Sequence, residues 1–169
     1  SQIHEERMTA VVILVNRSKK GNINIKKEVY EFYLKNLSGI NNWDLVDISA
    51  PKIIGRYLHE AKISRKFLYE YAGSNNLWKR RIAVMSTFWF IREKEYQDAL
   101  AIAKLLLNDK HDLIHKAVGW MLREIGNRNL SVEEKFLKTC YQKMPRTMLR
   151  YAIEKFPESL RKKYLESKI

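Results

Sequence analysis

The chain has few of the residues that cross-link, interrupt or anchor a fold. Its 169 residues include 1 cysteine, 3 prolines and 6 glycines. A single cysteine, Cys140, excludes an internal disulfide framework and a zinc site built from several cysteines. The scarcity of glycine and proline argues against a β-sandwich or barrel with many tight hairpins. No apolar run approaches the ~18 residues of a membrane span, and residues 1–7 do not resemble a signal peptide. We therefore expect a soluble cytoplasmic protein with no membrane partner.

Positive charge, in contrast, is abundant. The 32 Lys and Arg residues outnumber the 19 Asp and Glu residues, which gives a formal net charge of +13. Because 46% of the residues are hydrophobic, the chain can build a core, and its length fits one domain over residues 1–169. The surplus charge favours a polyanionic partner such as nucleic acid, an acidic membrane surface or an acidic protein. A highly solvated surface with no such partner is the alternative.

Most of the chain has the apolar spacing of amphipathic helices, with hydrophobic residues at i, i+3, i+4 and i+7. Ser131 with Glu134 predicts a capping-box start, and Asp109 is expected to cap the helix that follows it. The predicted helices span residues 4–16, 25–37, 43–58, 77–91, 96–107, 113–125, 132–144 and 147–156.

An alanine recurs in alternate predicted helices, at intervals of 33 to 40 residues. A period of this size built from helix pairs indicates an α-solenoid. The Trp, Leu-Gly and Tyr consensus of tetratricopeptide repeats is absent, so we predict an all-α superhelix of HEAT-like repeats with a concave basic face. Such a face would suit the curved backbone of a duplex, although the same architecture also serves protein scaffolds. The recurring residues are Ala10, Ala50, Ala83, Ala117 and Ala152.

Two candidate reactive sites have simpler structural interpretations. His111 and His115 are four residues apart, which is metal-ligand spacing, but no third ligand is evident. We therefore interpret them as a surface or helix-start pair and expect neither a metal nor a cofactor. Cys140 lies in an amphipathic helix without an activating partner, so we interpret it as a buried structural thiol.

A third candidate lies at the start of the helix predicted over residues 43–58. Trp43 and Asp47 are four residues apart, so the indole and the carboxylate share one face. A core tryptophan followed by an aspartate near the positive end of the helix dipole is the structural alternative, and spacing alone favours it. Trp78 and Trp120 occur with cationic residues on later repeats. An acid beside indoles is an unusual combination for a basic scaffold.

The sequence as a whole resembles the AlkD-like DNA alkylation repair family, the DNA glycosylases built from HEAT-like repeats. The resemblance covers nearly the whole chain and rests on five segments in the same order. These are residues 4–7 (HEER), 42–47 (NWDLVD), 78–83 (WKRRIA), 116–124 (KAVGWMLRE) and 144–152 (MPRTMLRYA). Family members usually carry further helices before the first of these segments, so we expect either a shortened member or a truncated chain.

The resemblance implies excision of cationic alkylated purines, such as 3-methyladenine and 7-methylguanine, from duplex DNA, by a monofunctional glycosylase without a cofactor. It implies that Asp47 is the catalytic aspartate, with Trp43, Arg81 and Trp120 as the other active-site residues. In the alanine register, Arg80 rather than Arg81 occupies the position equivalent to Asp47, and we follow the family match. Residues expected to contact DNA phosphates are Lys79, Arg80, Arg123, Arg146 and Arg150.

Two other functions remain compatible with the sequence. A non-catalytic HEAT-like module for damaged or branched DNA or RNA would explain the charge and the fold, and would leave the Trp43–Asp47 pair a structural feature. A protein–protein scaffold would instead show large exposed apolar patches and weak salt dependence. We expect the protein to be a monomer.

Overall fold

A computed structural model describes all 169 residues, and its regular secondary structure is entirely helical. No helix combines the length and the apolar character needed to cross a membrane. A π-helical segment, Pro51–Gly55, joins α3 to α4, and short 3₁₀ turns occupy Leu37–Gly39, Tyr141–Lys143 and Ile153–Lys155. The helices are α1 (His4–Lys20), α2 (Ile23–Lys35), α3 (Trp43–Ala50), α4 (Arg56–Glu60), α5 (Lys66–Ala72), α6 (Leu77–Arg92), α7 (Gln97–Leu105), α8 (Asp112–Gly126), α9 (Leu130–Cys140), α10 (Arg146–Ala152) and α11 (Glu158–Leu165).

The helices stack in two rows, as the repeat predicted. Helices α1, α3, α6, α8 and α10 pack successively against one another, and we call them the repeat row. Helices α2, α4, α5, α7 and α9 pack beside them and form the second row. Each helix of the repeat row contains one of the recurring alanines. Four of these alanines are fully buried, and Ala10 in the terminal helix is exposed. The predicted all-helical superhelix is therefore confirmed.

Two glycines allow helices of the repeat row to approach closely. A Cβ atom on Gly119 of α8 would lie 2.5 Å from the carbonyl oxygen of Met148 and 2.5 Å from the Cβ atom of Tyr151, both in α10. A Cβ atom on Gly55, in the π-helical segment, would lie 2.2 Å from the carbonyl oxygen of Ser86 in α6. Only a hydrogen atom fits at these two positions. The opposing atoms belong to the backbone, which cannot move aside in the way that the end of a flexible side chain can.

Two helices were not predicted from the sequence. Helix α5 has only seven residues, which is too short for the apolar period to stand out. Helix α11 follows Pro157 and buries only one residue completely, Tyr164, so its amphipathic pattern is weak. The helix predicted over residues 43–58 is present, but the π-helical segment interrupts its regular turn.

The predicted caps were wrong. Helix α9 begins at Leu130, and the side chain of Asn129 accepts a hydrogen bond from the amide of Val132. Ser131 therefore lies inside the helix. Helix α8 is capped by His111, whose Nδ1 accepts from the amide of Leu113 at 3.2 Å. Asp109 lies two residues before His111, outside the helix, and its carboxylate accepts a hydrogen bond from the amide of His111 at 2.8 Å.

Candidate active site and nucleic-acid interface

The centre of the candidate site is an ion pair between α3 and α6. Arg81 donates from Nε to Oδ1 of Asp47 at 2.8 Å and from Nη2 to Oδ2 at 2.7 Å. The two bonds run side by side, which is the bidentate geometry in which a guanidinium matches a carboxylate best. The side chain of Arg81 is 5% exposed and that of Asp47 is 15% exposed. The pair is therefore largely shielded from water, with the carboxylate at its more accessible end.

A third helix completes the environment of Arg81. Its Nη1 also donates to the backbone carbonyl of Leu113, in the first turn of α8. One guanidinium thus connects three successive helices of the repeat row. These bonds to two neighbouring helices fix the position of the Arg81 side chain.

The environment of Asp47 pulls its pKa in opposite directions. Burial raises the pKa of the Asp47 carboxyl above its ordinary value, and the negative charge of Asp44 raises it further. The hydrogen bonds and positive charge of Arg81 lower that pKa. The net direction is upward, so removal from water outweighs the ion pair. Asp47 is therefore a largely buried carboxylate that is paired with a single cation, Arg81.

Trp43 and Asp44 form the rim of the site at the start of α3. The Trp43 side chain is exposed to 52%, which is unusual for an indole without a partner. Asp44 accepts a hydrogen bond from Nε2 of His4 in α1 at 2.8 Å. Both residues lie in the first turn of α3, whose N-terminal amide is capped by Asn42. The interpretation of Trp43 as a core residue is therefore wrong, because the indole faces solvent.

Trp120 lies further along the same surface, against Phe88 of α6. The two ring centroids are 6.2 Å apart. Phe88 follows Arg81 by seven residues, which places it about 10 Å along the helix on the same face. The indole Nε1 of Trp120 donates to Oε1 of Glu124 at 3.3 Å. Glu124 in turn accepts from Arg128, whose guanidinium lies 5.8 Å from the centre of the Phe88 ring.

The structure separates the two neighbouring arginines of α6. Arg80 bonds to Asp109 from Nε at 2.6 Å and donates from Nη1 to the carbonyls of Ser74 and Asn75. Its guanidinium is therefore engaged with the loops before α6 and before α8, and has no contact with Asp47. Arg81 is the arginine that meets Asp47, although the alanine register placed Arg80 there.

The other residues expected to contact DNA fall into two groups. Arg123 forms an ion pair with Glu154, and Arg146 donates to the carbonyl of Leu165 at 2.6 Å. Lys79 and Arg150 are exposed and form no salt bridge. The Nζ atom of Lys79 lies 5.3 Å from the centre of the Tyr71 ring. Of these side chains, Lys79 and Arg150 are free to meet a new anion without first breaking an ion pair or a hydrogen bond.

The histidine pair and the cysteine have structural contacts. His111 caps α8, and the Nε2 of His115 bonds to the backbone carbonyl of Asp109 at 2.5 Å. No group of three or more His, Cys, Asp or Glu side chains lies close enough together to hold a metal ion. Cys140 is buried at the end of α9, and burial raises the pKa of its thiol. A raised thiol pKa reduces the fraction of reactive thiolate.

Several residues of this surface were not identified from the sequence. His4 and the carbonyl of Leu113 support the site through contacts between helices, which leave no signal in the local spacing. Phe88 could have been found, because it lies seven residues after Arg81 on the same helical face. A basic pocket at the far end of α6 was also missed, since its residues come from three separate segments.

Comparison with known sequences gives one match. The sequence profile of the DNA alkylation repair enzyme family matches residues 1–156, which include every residue of the site described above. No curated protein sequence is similar enough to this chain to count as a relative. The profile covers nearly all of the chain, and it spans the repeat row from α1 to α10. The chain therefore belongs to the DNA alkylation repair enzyme family.

Proposed function

We propose that this protein is a monofunctional DNA glycosylase that excises cationic N-alkylated purines, such as 3-methyladenine and 7-methylguanine, from duplex DNA. The observation that carries the proposal is the Asp47 carboxylate, held in a bidentate ion pair beside an exposed tryptophan at the start of α3. A buried ion pair is a poor way to stabilise a fold, because desolvation offsets much of the attraction. A catalytic role better explains why this ion pair lies on the repeat row of a basic superhelix.

Excision of a cationic base needs little general acid catalysis. Alkylation at a ring nitrogen makes the purine a cation, and the electron pair of the breaking C1′–N bond neutralises it as it leaves. Positive charge then develops on the deoxyribose. A carboxylate fixed near the sugar stabilises that charge more in the transition state than in the ground state. Water adds to C1′ and loses a proton to Asp47 or to solvent, which completes the hydrolysis.

Asp47 retains the capacity for this role while it is bonded to Arg81. Each carboxylate oxygen can accept about two hydrogen bonds, and Arg81 uses only one on each. The remaining positions can orient the attacking water and face the sugar. We assign Arg81 to hold the carboxylate ionised and correctly oriented, and to offer its unused N–H groups to a phosphate beside the lesion.

The aromatic residues would bind the sugar and the backbone. The exposed indole of Trp43 can pack against the deoxyribose, with its π face toward the developing positive charge. Trp120 would contact the duplex further along the surface. Lys79 and Arg150 are the first candidates for phosphate contacts because they have no competing ion pair. Arg80, Arg123 and Arg146 would have to exchange an internal partner for a phosphate.

The second candidate function is a non-catalytic module that binds damaged or branched nucleic acid. It is supported by the engagement of both Asp47 oxygens with Arg81, which is also the arrangement of a purely structural ion pair. In that case charge alone would govern binding, and no base would be released.

A single-turnover assay separates the two functions. Methylated duplex DNA is incubated with excess protein, and released 7-methylguanine and 3-methyladenine are measured for the wild type and for Asp47→Asn. We expect the variant to lose at least about a hundredfold in rate, as expected when a preorganised electrostatic group is removed. DNA affinity should be retained or increased, because a negative charge is lost.

The matched control is Asp112→Asn, which makes the same change of charge at an exposed carboxylate in the first turn of α8. It should leave the rate of release unchanged. Equal release by wild type and Asp47→Asn would exclude the catalytic assignment. Absence of release by the wild type, with salt-sensitive binding retained, would favour the binding module.

A further inference from the structure

A basic pocket of about 590 Å³ lies outside the candidate active site, and Asp47 is not part of its lining. It is bounded by the last turns of α1, by the π-helical segment with the start of α4, and by the last turns of α6. We call it the basic pocket. Its polar and aromatic lining consists of Asn16, Lys19, Lys52, Arg56, Trp89 and Arg92. Four of these six residues are cations, and none is an acid.

The cations of the basic pocket are poorly neutralised. Lys19, Lys52 and Arg92 form no salt bridge within the protein. Arg56 is paired with Glu60 at 2.7 Å, but Glu60 also bonds to Lys26, so it offers little charge to the pocket. Like charges that converge on one concave surface raise the local potential and attract anions.

An indole holds the two arginines in place. The guanidinium carbons of Arg56 and Arg92 lie 5.2 Å and 4.8 Å from the centre of the Trp89 ring. Stacking on an aromatic face restricts the rotamers of an arginine without using its N–H donors. Both guanidinium groups are therefore positioned before any ligand arrives, which lowers the entropic cost of binding.

The backbone around the pocket is also fixed. Gly55 packs directly on the carbonyl of Ser86 in α6, which brings Arg56 beside Trp89. The hydroxyl of Ser18 donates to the carbonyl of Lys52, and Arg56 donates from Nη1 to the carbonyl of Lys19, each at 3.4 Å. These contacts join α1 to the π-helical segment and to the start of α4, so the cations come from elements that are held together.

The basic pocket lies on the same side of α6 as the candidate active site. Arg92 follows Arg81 by eleven residues, which is close to three full helical turns, so the two side chains leave α6 on nearly the same face. At 1.5 Å per residue, the separation along the axis is about 16 Å. A duplex bound along this face of α6 can therefore present one nucleotide to Asp47 and a nearby backbone phosphate to the pocket, since the phosphates of one strand follow one another at about 3.4 Å of rise.

We propose that the basic pocket binds a phosphodiester group of the DNA backbone, a few base pairs from the nucleotide whose deoxyribose meets Asp47. Lys52 and Arg92 neutralise the phosphate, while Arg56 and Trp89 orient Arg92 and the wall of the pocket. This inference rests on the proposed function for the identity of the ligand. It adds a second point of attachment, which fixes the angle of the duplex relative to Asp47.

The first test is the salt dependence of binding to an unmethylated duplex. The double variant Lys52→Ala/Arg92→Ala is compared with Lys135→Ala/Lys138→Ala, which removes two exposed charges from α9 in the second row. We expect the pocket variant to reduce the slope of log affinity against log salt by about one, and the control to leave it nearly unchanged. Equal slopes for the two variants would overturn the proposal.

The second test locates the phosphate. Duplexes that carry one alkylated purine, and a single neutral methylphosphonate at successive positions, are scanned for weakened binding by the wild type. We expect one position, several base pairs from the lesion site, to lose its effect in the pocket variant and to keep it in the control. If the variant remains sensitive at every position, or if inorganic phosphate binds the pocket while no position changes, the pocket does not hold the DNA backbone.

These experiments distinguish a failure of the pocket proposal from a failure of the glycosylase proposal. If the two double variants have equal salt slopes while base release still depends on Asp47, the pocket proposal is excluded and the glycosylase proposal stands. If the pocket variant changes the salt slope and the methylphosphonate scan but the wild type releases no base, the pocket proposal stands and the glycosylase proposal is excluded. Thermal unfolding of each variant checks that the fold is retained, which we expect because Lys52 and Arg92 are exposed.

Discussion

Arg81 and Asp47, 34 residues apart in the chain, form a bidentate ion pair that joins two successive helices of the repeat row. The side chains of both residues are largely buried, and Arg81 also bonds to the third helix through the carbonyl of Leu113. The pair thus serves the packing of the repeats and the electrostatics of the site together. Its removal should be visible in stability as well as in activity.

Removal of Arg81 should destabilise the fold. Arg81→Ala would leave the Asp47 carboxylate buried without its cation, and breaking a buried pair from one side costs about 3–5 kcal/mol. Urea unfolding at neutral pH measures the loss. The control Arg17→Ala breaks a surface pair with Glu28 in which both side chains are more than half exposed, and should cost less than about 1 kcal/mol. Similar losses for the two variants would show that the Arg81–Asp47 pair is not shielded from solvent.

Activity should decline on the acid side at a higher pH than for an ordinary aspartate. Burial raises the pKa of Asp47 above 3.8, and protonation removes the charge that stabilises the sugar. The rate of release, corrected for spontaneous depurination, should therefore be full at neutral pH and fall as the pH drops through that raised pKa. Asp44→Asn removes a neighbouring negative charge, so it should shift the midpoint to lower pH. A midpoint that stays unchanged in Asp44→Asn would contradict the electrostatic explanation.

Gly119 should not tolerate a side chain. In Gly119→Ala, the new methyl group would meet the carbonyl of Met148 and the Cβ atom of Tyr151 at 2.5 Å, so α8 and α10 would have to separate. Overpacking of this kind costs about 1–3 kcal/mol. The control Gly73→Ala places its methyl group no closer than 3.7 Å to its neighbours, at a negative φ, and should change stability by less than about 1 kcal/mol. Chemical denaturation of both variants measures the contrast.

Glu133 should make stability depend on pH. Burial raises its pKa to about 8, with Glu134 adding to the shift and Arg123 opposing it, and Oε1 has no hydrogen-bond partner. A carboxyl whose pKa is raised by folding contributes stability below its unfolded value of about 4.5, and loses it as the pH rises through about 8. Glu133→Gln should therefore gain stability over the wild type between pH 5 and 8, by at most about 1.4 kcal/mol per pH unit. The control is Glu158→Gln, which makes the same change at an exposed glutamate at the start of α11, and a gain that does not depend on pH would refute the assignment.

The helices of the repeat row could be predicted because their apolar residues recur with the helical period and their alanines with the repeat period. Ala50, Ala83, Ala117 and Ala152 are all fully buried, as expected of small residues where helices cross. Helices α5 and α11 were missed because short helices contain too few turns to show a period. The caps were misplaced because several polar residues near a helix start can each accept the free amides, and packing selects among them.

The sequence by itself determined the class of fold, the repeat and the basic character, because these follow from composition and periodicity along one chain. It also placed Trp43 and Asp47 on one helical face. Only the tertiary structure decided that Arg81, and not Arg80, meets Asp47, and that Lys52 and Arg92 converge beside Trp89. The physical reason is that helical spacing fixes directions within one helix, whereas the rotation of one helix against the next depends on close contacts such as those at Gly55 and Gly119.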